Sequence, residues 1–286
     1  MSYGNDFVLT LFTNDSELVR RADTAGINRI GLDLEMLGKA ERQQHLNTWI
    51  SDHKEEQLAA LRKILKKAKL FVRTNPPHPG LRDEIDRYIE AGAEVLMLPM
   101  FRTAEEAADF ISYVGGRAEV SLLIETAAAA VRIDDIVRLK GIDEIHIGLN
   151  DLHLDLGLKS HFELLRYQFM NTLSDIVHSA GVPFGFGGIG RVKDDRLPIP
   201  SDLIYAQYPR LRADRALVSR VFTSPDYTCL DLTREVAAFR NRMDEWFGRS
   251  QQELMEAWDK LWVAASTIQT NKKLDKKFVL ADKTPN

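Results

Sequence analysis

Eight short apolar runs, each followed by an amphipathic helical stretch, set the pattern of this 286-residue sequence. Most of the runs are rich in Val, Ile, Leu and Phe without strict polar alternation, as expected for parallel strands buried on both faces. They lie at residues 8–13, 29–35, 69–75, 94–100, 119–126, 144–152, 182–188 and 215–223. Helical patterns lie between them, for example at residues 55–68, 81–91, 104–114 and 162–180. The sequence therefore predicts a parallel sheet whose strands are connected by helices.

Eight strands that each precede a helix fit a closed (β/α)8 TIM barrel, an α/β fold. An open, doubly wound sheet is the alternative, because counting strands does not establish that the sheet closes. We expect the barrel to occupy residues 1–231, a helical extension residues 232–270 and a flexible tail residues 271–286. The extension holds three of the four tryptophans, so we expect it to pack on the barrel or on a neighbouring subunit.

Composition excludes several classes of protein. The 38 basic residues are outnumbered by 42 acidic ones, so the chain lacks the basic footprint of a nucleic-acid-binding protein. The single cysteine, Cys229, excludes an internal disulfide framework and a cysteine-rich zinc site. No uncharged stretch is typical of a membrane helix, and residues 1–12 lack the features of a secretory signal. We expect a cytoplasmic enzyme or small-molecule-binding protein with no nucleic-acid or membrane partner.

Two acidic residues are expected where neighbouring strands of the barrel end. Glu125 closes the fifth predicted strand and Asp151 the sixth. Adjacent strands lie about 4.8 Å apart, so both carboxylates should project over the same rim and repel each other unless a cation lies between them. An oxygen-rich site of this kind suits Mg²⁺, Mn²⁺ or Co²⁺. The alternative is a pair of rim carboxylates bridged by lysine or arginine.

Further polar residues end the second and third predicted strands. Arg73, with Asn75 two residues later, could bind a substrate carboxylate bidentately; a salt bridge to a rim acid is the alternative. Asp33 and Glu35 share one face of the second strand because side chains alternate along it. They could order water on the cation or position Arg73, and structural pairing is again the alternative.

A glycine-rich segment, GFGGIG, follows the seventh predicted strand at residues 185–190. It matches G-x-G-x-x-G, but no helical pattern opens after it, so a dinucleotide site is disfavoured. We interpret Gly187, Gly188 and Arg191 as a place where backbone and a cation approach an anionic substrate. A tight turn with no ligand is the alternative. Asn150, beside Asp151, is a further candidate for substrate binding.

These strand-end residues, in this order, resemble the metal-dependent HpcH/HpaI aldolases and citrate lyase β-subunits. The resemblance spans about residues 29–222 and is carried by GLDLE (31–35), FVRTN (71–75), VLMLPMFRTAEEA (95–107), LLIETAAAAV (122–131) and IHIGLNDLHLDLG (145–157). It implies a (β/α)8 barrel in which Glu125 and Asp151 bind the divalent cation and Arg73 contacts the substrate carboxylate or enolate. It also implies a homo-oligomer, a trimer or hexamer, assembled through helices after the barrel.

One position departs from that family. The aldolases carry a catalytic histidine, and the citrate lyases an aspartate, directly after the residue that matches Glu35; this chain has Met36 there. The following loop offers His45 and His53, and the loop after the sixth strand offers His153. Histidine is the natural proton shuttle near neutral pH, so we predict His45 as the base, with helix packing or surface exposure as the alternative.

The sequence thus predicts a metal-dependent carbon–carbon lyase of the class II aldolase type, acting on a hydroxy-oxo acid through a pyruvate enolate. Arg73, His45, Asp33 and Glu35 form the predicted catalytic set. Two alternatives stay open: a lyase or hydrolase that acts on an acyl-CoA thioester, and a small-acid-binding barrel that has lost catalysis.

Overall fold

A computed structural model describes residues 2–38, 52–194, 197, 199–223 and 227–281, with side chains described up to Ser266. Its sheet is a closed barrel of eight parallel strands in sequence order. The strands are β1 (Val8–Phe12), β2 (Arg29–Asp33), β3 (Lys69–Arg73), β4 (Val95–Leu98), β5 (Glu119–Ile124), β6 (Glu144–Ile147), β7 (Phe184–Phe186) and β8 (Arg215–Leu217). Pairing of β1 with β8 closes the sheet. The prediction of a (β/α)8 barrel is confirmed, and the open-sheet alternative is wrong.

Helices cover the outside of the barrel and extend beyond it. They are α1 (Tyr3–Asp6), α2 (Ser16–Ala25), α3 (Leu58–Ile64), α4 (Leu81–Glu90), α5 (Ala104–Val114), α6 (Ala127–Val131), α7 (Ile133–Ile136), α8 (Leu149–Asp155), α9 (Gln168–Ser179), α10 (Ser201–Tyr205), α11 (Gln207–Arg210), α12 (Leu232–Phe247) and α13 (Gln251–Ala281). Short 3₁₀ turns occupy Glu55–Gln57, His161–Arg166, Arg220–Phe222 and Tyr227–Cys229. None of the helices in the described ranges combines the length and apolar character that a membrane span requires.

Local signals in the sequence fix the helix ends. At the start of α5, Thr103 and Glu106 form a reciprocal capping box in which each side chain accepts from the other residue's backbone N–H. At the end of α2, Gly26 adopts φ +90°, a left-handed conformation that glycine reaches without steric cost. Because all eight strands of the closed barrel are parallel, the loops that follow them meet at one end of the barrel.

One predicted strand is too long. We expected residues 144–152 to be extended, but β6 ends at Ile147 and α8 begins at Leu149. Leu149 and Leu152 are both buried on one face of that helix, and their spacing of three residues is helical rather than extended. Asp151 therefore lies in the first turn of a helix and does not close the strand, as we expected it to.

The core lies mainly between the outer face of the barrel and the surrounding helices. Inside the barrel, a separate apolar cluster contains Phe71, Val95, Met97 and Leu123, with Phe12 packed against it. This plug fills the middle of the barrel. The two ends of the barrel interior are polar.

Ion pairs fill the end of the barrel where the strands begin. Glu144 is fully buried, and its Oε2 accepts hydrogen bonds from Nη1 of Arg29 at 2.5 Å and from Nη1 of Arg215 at 2.6 Å. Burial alone would raise the pKa of Glu144, but His146 and the two arginines hold it well below its usual value. Ion pairs therefore occupy this end of the barrel interior, and the candidate site lies at the opposite end.

The C-terminal extension packs on the barrel. In α12, the Arg240 guanidinium donates to the carbonyl oxygens of Gly4 (2.7 Å) and Phe7 (3.0 Å), so this helix clasps the N-terminal segment. In α13, Trp258 Nε1 donates to the carbonyl oxygen of Leu165 at 2.7 Å. The helix α13 continues to Ala281, beyond residue 271, where we expected the tail to begin.

Candidate functional site

An arginine–aspartate pair lies at the end of the barrel where the strands finish. Arg73 ends β3 and Asp33 ends β2, and the two residues are paired in register. Nε of Arg73 donates to Asp33 Oδ1 at 2.9 Å, and Nη2 donates to Oδ2 at 2.8 Å. This bidentate pair is the salt-bridge alternative that the sequence left open. Asp33 therefore positions Arg73 and uses the edge of the guanidinium that we expected a substrate carboxylate to take.

Glu35 approaches the same guanidinium. Its Oε2 lies 3.4 Å from Nη2 of Arg73, and its side chain is only 2% exposed. Burial would lower the pKa of Arg73, but Asp33, Glu35 and Glu125 raise it well above its usual value. Among the contacts of the described residues, none involves Nη1 of Arg73, so this group remains to donate to a ligand. The arginine is a permanent positive charge in the centre of a ring of carboxylates.

Glu125 follows β5 directly and is buried at the same rim. Its Oε1 accepts a hydrogen bond from the backbone N–H of Met100 at 3.0 Å. Met100 has φ +55°, an uncommon value for a residue with a side chain. Strained backbone of this kind tends to cluster at functional sites, and here it aims an N–H at a candidate metal ligand. The sequence motif around Met100 gave no sign of this role.

Asp151 faces Glu125 from the first turn of α8. Burial, and then repulsion from Asp151 and Glu35, raise the pKa of Glu125 well above its usual value, while Arg73 opposes the shift. Gly148 packs against Glu125: a Cβ built there would be 2.5 Å from Glu125 Cβ and 2.6 Å from its Oε2. Only glycine allows the carboxylate and the start of α8 to approach so closely. Glu125 and Asp151, the two predicted metal ligands, are thus near enough for their charges to repel.

The donor set fits a hard divalent cation. Two carboxylates that repel each other over a buried floor provide the oxygen ligands that Mg²⁺ and Mn²⁺ prefer, and such ions usually keep several positions for water and substrate. Within the described ranges, no three His, Cys, Asp or Glu side chains form a cluster that could hold a metal ion. A cation held by Glu125 and Asp151 alone would keep its other positions for water and substrate.

Asn75 has structural contacts that the sequence did not suggest. Its Oδ1 accepts from the backbone N–H groups of Met36 (2.8 Å) and Leu37 (3.1 Å), and its Nδ2 donates to Glu84 Oε2 at 2.9 Å. These bonds hold the start of the loop after β2 at the rim. We therefore assign Asn75 to loop positioning, in place of the substrate binding that we predicted from its location.

The glycine-rich segment after β7 is tied into the sheet. Gly188 has φ +112° and donates its N–H to the carbonyl oxygen of Leu217 at 3.2 Å, so this N–H does not point to a ligand. Arg191 pairs with Asp194 at 3.1 Å. Gly187 is half-buried, and it stays a candidate for backbone approach to a substrate. The tight-turn alternative accounts for Gly188.

Asn150 and His153 lie on the helix that carries Asp151. Asn150 is exposed, and His153 Nδ1 lies 3.1 Å from the carbonyl oxygen of Leu149, one turn earlier in α8. His153 also contacts His161 edge to face, with ring centroids 6.0 Å apart. The helix-packing alternative therefore accounts for His153, and substrate binding by Asn150 stays a prediction.

A second arginine, which sequence reasoning missed, lies at this rim. Arg220 follows β8, is exposed, and interacts electrostatically with Asp33 and with Arg73. Its position just after a barrel strand is the signal that could have identified it. The sequence pattern predicts one strand over residues 215–223, whereas β8 ends at Leu217 and Arg220 lies in the loop after it.

A family model described as HpcH/HpaI aldolase/citrate lyase matches residues 11–186. The chain belongs to this family. The matched residues include Asp33, Arg73, Glu125 and Asp151, so the rim acids and the arginine between them lie within the part of the chain that the family model covers.

Two curated relatives carry the name hydroxypyruvate/pyruvate aldolase. The protein from Rhizorhabdus wittichii is 29% identical over 163 residues, which cover 44% of this chain and 62% of the relative. The protein from Agrobacterium fabrum is 28% identical over 173 residues, covering 46% of this chain and 64% of the relative. The chain thus spans somewhat less than two thirds of the length of each.

Solved structures share the fold. A citrate lyase from Burkholderia xenovorans LB400 has a TM-score of 0.60 at 16% identity, over 93% of this chain and 86% of that one. The citrate synthase SbnG has a TM-score of 0.56 at 17% identity, over 76% and 88%. At these identities the likeness concerns the barrel alone.

Met36 stands directly after Glu35, where the resemblance led us to expect a histidine or an aspartate. Met36 is 65% exposed, and its backbone is pinned by Asn75. His45, our predicted base, lies outside the described residues. His53 is nearby: its Nδ1 accepts the backbone N–H of Asp33 at 2.9 Å. A histidine thus does reach this rim, from a position seventeen residues after Met36 in the chain.

Proposed function

We propose that this protein is a divalent-metal-dependent carbon–carbon lyase of the class II aldolase type. Its substrate is a hydroxy-oxo acid that is cleaved to, or formed from, a pyruvate enolate. The observation that carries the proposal is that Glu125, which the Met100 N–H holds at the rim, is repelled by Asp151 and attracted by Arg73, with the net result that the pKa of Glu125 is raised. The names of the two curated relatives support pyruvate chemistry.

Glu125 and Asp151 would hold the cation, Mg²⁺ or else Mn²⁺ or Co²⁺. When bound, the cation would supply Lewis acidity toward a keto oxygen. Glu125 is prepared for this role by the Met100 N–H, which fixes one carboxylate oxygen, and by Gly148, which leaves room for the other. The protein's own contribution is to keep two repelling carboxylates in place on a rigid barrel rim.

Arg73 would stabilise the negative charge that develops on the substrate. Its Nε and Nη2 are engaged by Asp33, so Nη1 is the group that would donate to a carboxylate or enolate oxygen. A guanidinium locked before the reaction needs no reorganisation as charge develops, which is the condition for strong electrostatic catalysis. Asp33 and Glu35 act through Arg73 as positioning residues.

The hydrogen bond at His53 supports a choice between the histidines for proton transfer. Because Nδ1 of His53 accepts from a backbone N–H, the neutral ring carries its proton on Nε2 and is a donor there. A ring in this tautomer stabilises an oxygen atom and is not suited to remove a proton. His45 therefore stays our proposed base, removing the hydroxyl proton that starts cleavage. We further propose a cytoplasmic homo-oligomer, a trimer or hexamer.

Deuterium exchange at the pyruvate methyl group tests the proposal. With Mn²⁺ or Mg²⁺ present, we expect proton NMR in D₂O to show loss of the methyl signal, because enolisation precedes carbon–carbon bond formation. Cleavage of malyl- or citramalyl-type CoA thioesters without exchange of free pyruvate would instead support the thioester alternative. Metal binding with neither activity would support the acid-binding barrel.

A further inference from the structure

A buried carboxylate on α4 lies behind the rim. Glu84 is 4% exposed. Its Oε1 accepts the backbone N–H of Asn75 at 2.8 Å, and its Oε2 accepts Nδ2 of Asn75 at 2.9 Å. The same Oε2 lies 3.1 Å from Nε2 of His78, and because Nδ1 of His78 accepts the Gly80 N–H at 3.2 Å, Nε2 of the neutral ring carries the proton and donates. Glu84 therefore acts purely as an acceptor for three donors, as a buried carboxylate requires.

The carboxylate of Glu84 fixes the direction in which the amide of Asn75 points. An ionised carboxylate has no proton to donate, so the amide must turn Nδ2 toward it. Oδ1 of Asn75 then faces the loop after β2, where it accepts the backbone N–H groups of Met36 at 2.8 Å and Leu37 at 3.1 Å. If the amide were reversed, Oδ1 would face the carboxylate and Nδ2 would face two N–H groups. The chain of hydrogen bonds from Glu84 through Asn75 to Met36 and Leu37 is called the Glu84 relay below.

The relay holds backbone that has little packing of its own. Met36 and Leu37 expose 65% and 48% of their surface, so apolar burial does little to fix them. Glu35 comes directly before them, and its Oε2 lies 3.4 Å from Nη2 of Arg73. The hydrogen bonds to Asn75 therefore fix the backbone from which Glu35 reaches Arg73.

We propose that Glu84 is a positioning residue for the rim. Through the amide of Asn75, it holds the loop after β2 so that Glu35 stays against Arg73. The effect on turnover rests on the proposed function, because it assumes that Arg73 acts on the substrate. The relay itself consists of hydrogen bonds and can be tested without any activity.

Exchanging the amide and the carboxylate tests the relay. In Glu84→Gln, the new amide presents an N–H to one of the two groups of Asn75 that donate to Glu84, whichever way the amide is turned. Asn75→Asp instead places two carboxylates in contact. In the double variant, the glutamine amide can donate to the new aspartate, whose other oxygen still accepts from Met36 and Leu37. Each single change should break the relay, and the double variant should restore much of it with donor and acceptor exchanged.

Hydrogen–deuterium exchange of the Met36 and Leu37 amides, followed by mass spectrometry, measures the relay directly. We expect exchange there to be about tenfold faster in each single variant, as for the loss of one to two hydrogen bonds, and slower again in the double variant. A general loss of stability would instead speed exchange throughout the barrel.

The effect on turnover is measured by pyruvate methyl exchange. Its kcat should fall by about 10- to 100-fold in the single variants, because small displacements of catalytic groups cost up to about that factor. The double variant should recover much of kcat. The Mn²⁺ dissociation constant should stay as in the wild type, since Glu125 and Asp151 follow other strands.

Glu90→Gln is the matched control, because Glu90 is exposed at the end of the same helix. It makes the same change of charge and should leave amide exchange and kcat unchanged. Asn75 is half-buried, so Asn75→Asp carries the test if Glu84→Gln does not fold.

Wild-type protection of Met36 and Leu37 in the single variants, or a double variant no better than either single one, would overturn the inference. Absence of methyl exchange in the wild type would overturn the proposed function, and amide exchange would still decide the relay. The two failures are therefore distinguishable.

Discussion

Gly148→Ala should disable the site while leaving the barrel folded. The new Cβ would lie 2.5 Å from Glu125 Cβ and 2.6 Å from Oε2, whereas ordinary van der Waals contact begins at 3.4 Å. Since the surroundings are close-packed, relief requires a shift of roughly 0.9 Å, which Glu125 or α8 must make. A displacement of about 1 Å in a catalytic group costs about 100-fold in rate. We therefore expect pyruvate exchange to fall by about that factor.

The assay is methyl exchange at saturating Mn²⁺, together with the Mn²⁺ dissociation constant and the circular dichroism spectrum. Gly248→Ala is the control, because a Cβ there would meet its nearest atoms at 3.5 and 3.7 Å, in ordinary contact. It should keep the wild-type rate. If Gly148→Ala exchanged pyruvate and bound Mn²⁺ as the wild type does, the close approach of Gly148 to Glu125 would have no part in the site.

Two further substitutions test the parts of the fold that support the site. Glu144→Gln should lower the free energy of unfolding at pH 7 by up to about 3 kcal/mol, because it removes the buried charge that Arg29 and Arg215 share and leaves them only the more exposed Glu119 and Asp214. The pKa of Glu144 is depressed in the folded state, so the ionised side chain stabilises the fold above the unfolded-state pKa, and this stabilisation is lost as pH falls through the folded-state pKa. Urea titrations should therefore show that the difference in unfolding free energy between variant and wild type shrinks on acidification. A difference that is constant with pH would contradict this. Trp258→Phe removes the 2.7 Å hydrogen bond to Leu165 and should cost about 1 kcal/mol, measured by the same titrations; no change would mean that α13 is not held through this bond.

The sequence predicted the barrel and much of its rim, because both follow from local patterns. Buried parallel strands read as apolar runs, and the polar residues that end them, such as Asp33, Arg73 and Glu125, must meet at one end of the barrel. The pairing of Arg73 could not be decided in advance. A substrate carboxylate and Asp33 could each bind Nε and Nη2 of Arg73, and only the register of β2 and β3 shows that Asp33 does so.

Other elements of the site depend on tertiary structure that no local pattern reveals. The N–H of Met100 reaches Glu125 because the backbone has a positive φ in a loop from a different strand. Gly148 matters only because Glu125 packs against it. The strand before Gly148 was predicted to continue to residue 152, since Leu149 and Leu152 fit an apolar run as well as a helix face. Asn75 lies where we expected a substrate-binding residue, but its Oδ1 accepts hydrogen bonds from backbone N–H groups of a neighbouring loop.

The most direct test measures Mn²⁺ binding by the variants Glu125→Gln and Asp151→Asn. The electron paramagnetic resonance signal of free Mn²⁺ reports how much of the ion is unbound. Loss of an outer partner of a metal ligand typically weakens binding about 10- to 100-fold. Removal of a ligand's charge should therefore weaken Mn²⁺ binding by at least about tenfold and abolish pyruvate exchange. Glu256→Gln, on the outer helix α13, should bind as the wild type does. Undiminished Mn²⁺ affinity and exchange in either rim variant would contradict a cation held between these two carboxylates.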